Sequence, residues 1–544
     1  MSDSPVVIAG GGPVGMTLAL ELAHHGVRSI LLERNPSTTK HPKMDLTNGR
    51  SMELFRRLGV ADELRAVGVP ADRPLDVLWA TNVVGHELHR FRYPSPDEAR
   101  TQTLKANDGT RTLEPYLRIS QVVLEPVLKR AVDENPFVDV RFGCALESFS
   151  QDSHRVVVSA RENSSRRGSR ISCAYLVGCD GGGSRVRHEA GIAMEGQFAV
   201  ASAYMIHFRS DAREVLLSLG ECYHLQTSLG TLIVQNGHDI WTFQGLLPPG
   251  TDPSSIDADQ LLRQFVGCDF KFEILVANPW TPHMVVAEAY RVGRVFLAGD
   301  SAHQVIPTGG YGMNTGIGDA VDLGWKLAAF INGWGGEALL DSYAAERHPI
   351  ALQNRAAALR HAQVRVAITM AIVNAETHTN LNAQGSAPAR AELGGTIKTL
   401  GNAENESWGI EHGYAYERSP VIIPDESPLV PFDPLTCVPT SRPGARLPHI
   451  VIASGTPLYE LLGPEMTLLV VGDVVLGNVE RDAAAAGVPL TIANLQPEHA
   501  TQILGKKLLL VRPDQHVAWR ADAAPPLWQT VFACITGQVP HAED

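Results

Sequence analysis

Short apolar runs that end in glycine recur along this chain. Residues 6–9, 175–177 and 294–298 each have the continuous apolar composition of a strand buried in a parallel sheet. Helix-compatible segments follow the first and third runs, at residues 16–25 and 317–332. The pattern predicts an α/β protein in which strands lead through glycine-rich turns into helices.

The pattern changes in residues 200–290, where apolar and polar positions alternate. Alternation is typical of antiparallel strands with one solvated face, so we expect a separate sheet that binds a substrate. A third region contains buried-type strands at 466–471 and 507–511 without a glycine phosphate loop. It reads as a small α/β domain.

These patterns predict three domains. The first is discontinuous and comprises residues 1–75, 110–190 and 286–375. The second is a β-sheet domain, residues 76–109 and 191–285, and the third spans residues 397–544.

Composition narrows the function classes. The chain has 544 residues, a net charge of −13 and 44% hydrophobic residues, which argues against nonspecific nucleic-acid binding. It contains neither an 18-residue apolar run nor a signal-peptide pattern, so we expect a cytoplasmic protein without a membrane partner. The cysteines are scattered, without C-x-x-C, which predicts free thiols and no metal site.

The first turn has the spacing of a dinucleotide-binding motif. Gly10 allows a tight turn, Gly12 allows the backbone to approach a pyrophosphate, and Gly15 allows close packing of helix on strand. Pro13 and Val14 complete the turn at the predicted helix start. Glu33 ends the next strand, where a carboxylate can bind ribose hydroxyls. This motif alone leaves FAD and NAD(P) open.

Two further turns favour FAD. Asp180 begins a D-G-G-G-S turn, and Gly299 with Asp300 begins another that continues through Gly310, Gly312, Met313 and Asn314. Turns so far apart in sequence can bind one large cofactor from two sides. We therefore place adenosine and pyrophosphate at residues 10–33, and the ribityl chain and flavin ring at 300–314.

Three motifs together resemble the class A flavoprotein aromatic hydroxylases of the para-hydroxybenzoate hydroxylase and phenol hydroxylase group. They are GGGPVG with Glu33, CDGGGSRVR, and GDSAHQVIPTGGYGMN, in the order of that family. The resemblance covers the first 370 residues and implies a Rossmann-like FAD-binding domain with an antiparallel-sheet substrate domain. The C-terminal tail, with PGARLPH and RPDQHVAW, is similar to the thioredoxin-like domain of the phenol hydroxylase branch. This domain has no C-x-x-C, so we expect it to have an interface role and not a redox role.

The resemblance also implies a reaction. NAD(P)H would reduce FAD, and O₂ would then form a flavin C4a-hydroperoxide that hydroxylates an electron-rich ring, a phenol above all. The motifs leave NADPH and NADH open. An oxygen-independent flavoprotein dehydrogenase or reductase is the main alternative. A flavin-dependent halogenase would carry a W-x-W-x-I-P motif, which this sequence lacks. Three cofactor motifs are more than a non-catalytic flavin-binding protein would need.

Cofactor residues are carried over from the resemblance by position. Arg118 and Gln121 match a flavin-contacting helix start. Pro307 matches a proline whose carbonyl points into the pocket, so it is expected to be a catalytic residue as well as a cofactor contact. Arg34 and Lys43 could contact phosphates. His303 belongs to the third motif, where a second-shell or core role is as consistent as catalysis.

Asp45 matches an aspartate that phenol hydroxylases direct at the substrate hydroxyl, so it is the expected catalytic residue; the alternative is a surface carboxylate paired with Lys43 or Arg50. Tyr223, His224, Gln226 and Gln235 are candidate substrate-binding residues on the middle sheet. A small monocyclic phenol is favoured, and larger polyketide phenols stay open. A homodimer is one alternative for the oligomeric state.

Overall fold

The computed structural model describes residues 6–538 and has a mixed α/β fold, which confirms the predicted class. Residues 1–5 and 539–544, which the predicted domain limits include, lie outside the described residues.

A six-stranded sheet, here called the parallel sheet, holds the three glycine turns. All its strands are parallel except the first at one edge. Because the parallel strands point the same way, their carboxyl ends lie at one edge of the sheet. In spatial order the strands are Arg291–Val292, Val295–Leu297, Tyr175–Gly178, Val6–Ala9, Ser29–Glu33 and Val138–Phe142.

Helices cover the parallel sheet. Pro13–His24 starts with a proline at its first turn, where the missing N–H costs no hydrogen bond, and is buried along most of its length. It packs against Gln121–Asp133 and Tyr311–Ile331. The helix that begins at the first turn is therefore held against the helix that begins at the third.

A seven-stranded sheet, here called the middle sheet, faces the turn edge of the parallel sheet across a cavity. One of its faces carries the apolar residues Leu78, Leu225, Leu232 and Phe243, which form a core with helix Ala258–Val266. The opposite face lines the cavity. In spatial order the strands are Glu273–Trp280, Ala203–Arg209, Ile240–Leu246, Gly230–Val234, His224–Thr227, Val77–Ala80 and Glu87–Phe91.

The C-terminal region forms a mixed four-stranded sheet. In spatial order its strands are Leu490–Leu495, Met466–Val471, Leu508–Val511 and Val517–Ala521. The first two strands are parallel, and Leu508–Val511 runs antiparallel to its two neighbours. With helices Val479–Ala485, Pro497–Leu504 and Trp528–Ile535, this order agrees with a thioredoxin-like fold.

The remaining elements connect these sheets. The further strands are Leu46–Thr47, Leu117–Arg118, Cys144–Gln151, Val156–Glu162, Gly168–Cys173, Met194–Gln197, Met284–Ala287 and His303–Gln304. The further α-helices are Gly49–Arg57, Ala61–Val67, Pro96–Ala106, Arg185–Glu189, Arg213–Leu216, Glu337–His378, Ala387–Leu400 and Trp408–His412. Short 3₁₀ turns occupy Pro253–Ser255, Gly299–Ser301, Gln384–Ser386, Ala403–Asn405 and Leu458–Leu461.

Helix Glu337–His378 has the length and composition of a membrane span, with a mean hydropathy of 1.2 over 18 residues, of which 28% are buried. Core helices of soluble proteins pass the same test. The sequence-based expectation of no membrane contact therefore stays a prediction.

A buried ion cluster joins the C-terminal region to the long helices of the first domain. The Arg512 guanidinium donates to Glu346 at 2.7 Å and to Asp322 at 2.9 Å, and Lys326 donates to the same two carboxylates. With Asp514, these carboxylates lie close enough to ligate a metal ion, but their oxygens already accept hydrogen bonds from Arg512 and Lys326. The cluster is therefore complete as an ion pair network.

Replacement of Arg512 by methionine should lower the free energy of unfolding by about 3–5 kcal/mol, because it removes one of the two cations that pair with the buried carboxylates and leaves Asp514 without its guanidinium partner. Urea denaturation followed by circular dichroism measures this. Lys506→Met is the matched control, since its 2.6 Å pair with Asp522 is exposed and should contribute less than about 1 kcal/mol. Equal destabilisation by the two substitutions would contradict the structural role of the cluster.

Candidate active site

A cavity of about 1650 Å³ lies between the turn edge of the parallel sheet and the middle sheet. Sites for single drug-sized ligands usually measure about 300–1,000 Å³. The cavity is therefore large enough for a dinucleotide and a second molecule. It runs from the first glycine turn, at Gly10, to Trp280 on the middle sheet.

Glycines let the backbone of the first turn pack closely against its neighbours. Gly10 has a φ of +112°, and a Cβ there would lie 2.2 Å from the carbonyl oxygen of Cys179. At Gly15 a Cβ would lie 2.0 Å from the carbonyl oxygen of Gly10. Gly12, in contrast, has open space beside it and caps helix Pro13–His24 without a side-chain hydrogen bond. The helix N–H groups can therefore bind a pyrophosphate.

Glu33 lies beside this turn and lines the cavity. One carboxylate oxygen accepts a hydrogen bond from the Gly11 N–H at 2.8 Å, and the other accepts from the Asn35 N–H at 2.7 Å. The Asn35 side-chain amide donates to that second oxygen as well, at 2.7 Å, so the first oxygen has the lone pair that can accept from a ribose hydroxyl. Gln121 also lines the cavity, and its amide donates to Glu125 at 2.6 Å.

The second turn is fixed by Asp180. Its carboxylate accepts hydrogen bonds from the backbone N–H groups of Arg185 and Val186, at 2.7 and 3.2 Å, and from the Ser301 hydroxyl at 3.2 Å. Asp180 thus connects the second turn to the third, and it lines the cavity with the glycines that follow it.

The third turn is held by a carboxylate that sequence reasoning missed. Asp319 accepts hydrogen bonds from the Gly299 N–H at 3.1 Å, from His303 Nε2 at 2.7 Å and from Arg347 Nε at 2.8 Å. Burial raises the pKa of Asp319, but the charges and hydrogen bonds of His303 and Arg347 outweigh it and lower the pKa. Gly299 has a φ of +62°, and Asp300 next to it lines the cavity. His303 therefore supports the turn and does not line the cavity.

The start of helix Tyr311–Ile331 opens onto the same cavity. Pro307, Gly310, Gly312 and Met313 all line it. The Gly310 N–H donates to the Pro307 carbonyl at 2.9 Å, so it is already used; the helical N–H groups after it have no intrahelical partner. Those groups, at Gly312 and Met313, are the ones placed to contact a ligand.

Some predicted cofactor residues support the site from outside the cavity lining. The Arg118 guanidinium donates to the carbonyl oxygens of Pro74 and Val234 and lies over the ring of Tyr223. The Asn314 side chain accepts hydrogen bonds from the Asn48 N–H and the Ser51 hydroxyl. Gly15 and Gly299 shape their turns. Val14, Arg34 and Lys43 lie on the lining itself.

Asp45 and His224 form a pair that faces the cavity. His224 Nε2 lies 3.4 Å from Asp45 Oδ2, and the Tyr223 ring stacks on His224 at 3.7 Å. Burial raises the pKa of Asp45, but the hydrogen bond and charge of His224 lower it below its usual range. Burial lowers the pKa of His224, and Asp45 opposes this only in part. At neutral pH the pair is therefore a carboxylate beside a neutral imidazole.

Further polar side chains of the middle sheet line the cavity. Gln226 and Gln235 are 1% and 4% exposed, and each has one amide atom without a hydrogen-bond partner. Trp79, which sequence reasoning missed, also lines the cavity with its Nε1 unpaired. Its apolar strand pattern gave no sign that this side chain faces a ligand site.

Models of two protein families match the chain. The FAD binding domain matches residues 3–358, and the aromatic-ring hydroxylase C-terminal domain matches residues 440–536. The chain belongs to the FAD-dependent aromatic hydroxylases. The resemblance predicted from the three motifs is therefore confirmed, and so is FAD as the cofactor of this hydroxylase.

Relatives and solved structures agree with this membership. The hydroxylase is 36% identical to the FAD-dependent monooxygenase apdD of Emericella nidulans, over 96% of this chain and 88% of that protein. It is 28% identical to 2,4-dichlorophenol 6-monooxygenase of Cupriavidus pinatubonensis, over 96% and 94%. RebC with reduced flavin superposes with a TM-score of 0.87 at 32% identity, covering 98% of this chain and 99% of that one.

Gly12→Leu should lower the FAD content of the purified hydroxylase by at least about tenfold, because the side chain would occupy the space that the pyrophosphate needs. The space beside Gly12 is open, so the fold should be retained. Flavin absorbance per protein measures the effect. Gly168→Leu is the control, since Gly168 also has open space but lies away from the cavity; FAD retained in Gly12→Leu would contradict the assignment.

Proposed function

We propose that this hydroxylase acts on a phenolic ring with O₂ and with NADPH or NADH as the electron donor. The observation that carries the proposal is the Asp45–His224 pair, which faces the cavity together with the third turn. The names of two relatives, 2,4-dichlorophenol 6-monooxygenase and 4-methyl-5-nitrocatechol 5-monooxygenase, support a phenolic substrate.

The three turns fit FAD. The first turn would hold its pyrophosphate, Glu33 its ribose, and the start of helix Tyr311–Ile331 its ring. Bound FAD supplies the electron transfer to O₂ and the reactive oxygen. The N–H groups of Gly312 and Met313 would stabilise negative charge on the ring at no reorganisation cost.

Asp45 would act as the general base toward the phenol. Its Oδ2 pairs with His224 and the Tyr223 hydroxyl also hydrogen-bonds the carboxylate, whose remaining lone pairs would accept the hydroxyl proton. The low pKa of Asp45 keeps the carboxylate ionised at neutral pH, and a phenolate ring is richer in electrons than the phenol. Neutral His224 would hold the carboxylate in place and is therefore a positioning residue.

The cavity mouth carries the basic residues Arg34, Lys40 and Lys43. They contrast with the net charge of −13 of the whole chain. We assign them to the phosphates of the nicotinamide donor, which would bind transiently beside the FAD site.

Asp45→Asn should lower phenol hydroxylation by about 10²- to 10⁴-fold, because the amide cannot accept the proton, while the FAD content stays unchanged. A panel of phenols with NADPH or NADH, followed by O₂ uptake and product analysis, measures this. Donor oxidation without O₂ uptake or hydroxylated product would instead indicate a dehydrogenase. Unchanged turnover in Asp45→Asn would remove Asp45 from the mechanism.

His224→Phe should move the acidic limb of the kcat/KM profile to higher pH. His224 lowers the pKa of Asp45, so its loss raises that pKa and the carboxylate is protonated sooner as the pH falls. His224→Gln, which keeps a hydrogen-bond donor, should shift the limb less. An acidic limb that stays in place in both variants would show that Asp45 does not control it.

A further inference from the structure

Four side chains form a row across the cavity-facing side of the middle sheet. Gln226 pairs in register with Trp79 on one side and with Thr231 on the other, and Thr231 pairs with Gln244. Register partners in neighbouring strands project from the same face. All four residues line the cavity, so we call them the polar row.

Two members of the polar row have buried donors without a partner. The indole Nε1 of Trp79 and the amide Nε2 of Gln226 make no hydrogen bond within the described residues 6–538, although these side chains are only 3% and 1% exposed. Buried polar groups are nearly always paired in folded proteins. Because indole can only donate, the missing partner of Trp79 must be an acceptor atom.

The polar row lies a fixed distance from His224, the partner of the proposed base Asp45. Gln226 follows His224 by two residues in strand His224–Thr227, so both side chains project from the same face. That spacing separates their Cα atoms by about 6.5–7 Å. A molecule whose ring hydroxyl contacts Asp45 could therefore place a second polar group at the row.

The cavity that the polar row lines also has exposed apolar residues, here called the apolar rim. Five exposed apolar residues line the same cavity, and two of them belong to helix Glu337–His378. They are Val200, Leu229, Leu246, Leu359 and Val366. A rim of this kind suits an aromatic or alkyl extension rather than a single small ring.

We propose that Trp79 and Gln226 form a recognition subsite for a carbonyl oxygen of the substrate, and that the substrate is an extended phenol of more than one ring. The inference rests on the proposed function, which places the ring hydroxyl at Asp45. It replaces the sequence-based preference for a small monocyclic phenol. The FAD-binding turns lie on the parallel sheet, so the subsite acts on the substrate and not on the cofactor.

The probes are 2-naphthol and 6-acetyl-2-naphthol, which share the ring hydroxyl and differ in the carbonyl. Their Kd values come from flavin absorbance changes in the FAD-loaded wild type and in Gln226→Met and Gln226→Glu. We expect the wild type to bind the acetyl compound about tenfold tighter. Gln226→Met should bring the ratio close to one, and Gln226→Glu should favour 2-naphthol, because a carboxylate repels a carbonyl oxygen.

Gln260→Glu is the matched control, since Gln260 is an exposed glutamine on helix Ala258–Val266 and should leave the ratio unchanged. The subsite is overturned if the wild type binds the two probes equally or binds neither, or if Gln226→Met keeps the wild-type ratio. A different result would overturn the proposed function and leave the subsite in place. In that result Asp45→Asn hydroxylates both probes at the wild-type rate, while the ratio of Kd values still changes with the residue at position 226.

Discussion

The parallel pairing of Val6–Ala9 with Tyr175–Gly178, and of the latter with Val295–Leu297, is the constraint on which the rest of the site depends. These strands are far apart in sequence, but their parallel register brings their carboxyl ends to one sheet edge. The three glycine turns therefore meet, and a single cofactor can contact all of them. The close approach of Gly10 to the Cys179 carbonyl shows how tightly the first two turns fit.

Buried carboxylates extend that constraint through the molecule. Asp319 holds the third turn through Gly299 and His303, and its partner Arg347 also donates to the Tyr416 hydroxyl at 3.2 Å. The cluster around Arg512 fastens the C-terminal sheet to the same helices. Since a buried charge is costly unless it is paired, these networks favour one arrangement of the turns and the C-terminal sheet. The C-terminal sheet is thus connected structurally to the flavin site, although it has no C-x-x-C.

The cofactor half of the site could be predicted from sequence, because glycine spacing and strand patterns are local signals. Gly10, Gly12 and Asp300 therefore lie where the motifs placed them, on the cavity lining. Asp319 and Trp79 could not be found in this way, since a helix carboxylate or an apolar strand residue has no local feature that shows its partner. Only the register of the middle sheet brings Trp79 beside Gln226. Arg118 shows the converse, since its motif position shortly before a helix did not reveal that its guanidinium donates to carbonyl oxygens.

We therefore assign the cofactor to the turns of the parallel sheet and the substrate to the groups of the middle sheet. We propose that one oxygen atom of O₂ enters a phenolic ring in the cavity between the two sheets. The most direct measurement is turnover of a hydroxylated naphthalene under ¹⁸O₂ with NADPH or NADH, followed by mass spectrometry of the product. We predict a product that contains one labelled oxygen atom. A product with oxygen from water, or reduced nicotinamide consumed with hydrogen peroxide as the only product, would show that the hydroxylase does not transfer oxygen from O₂ to the ring.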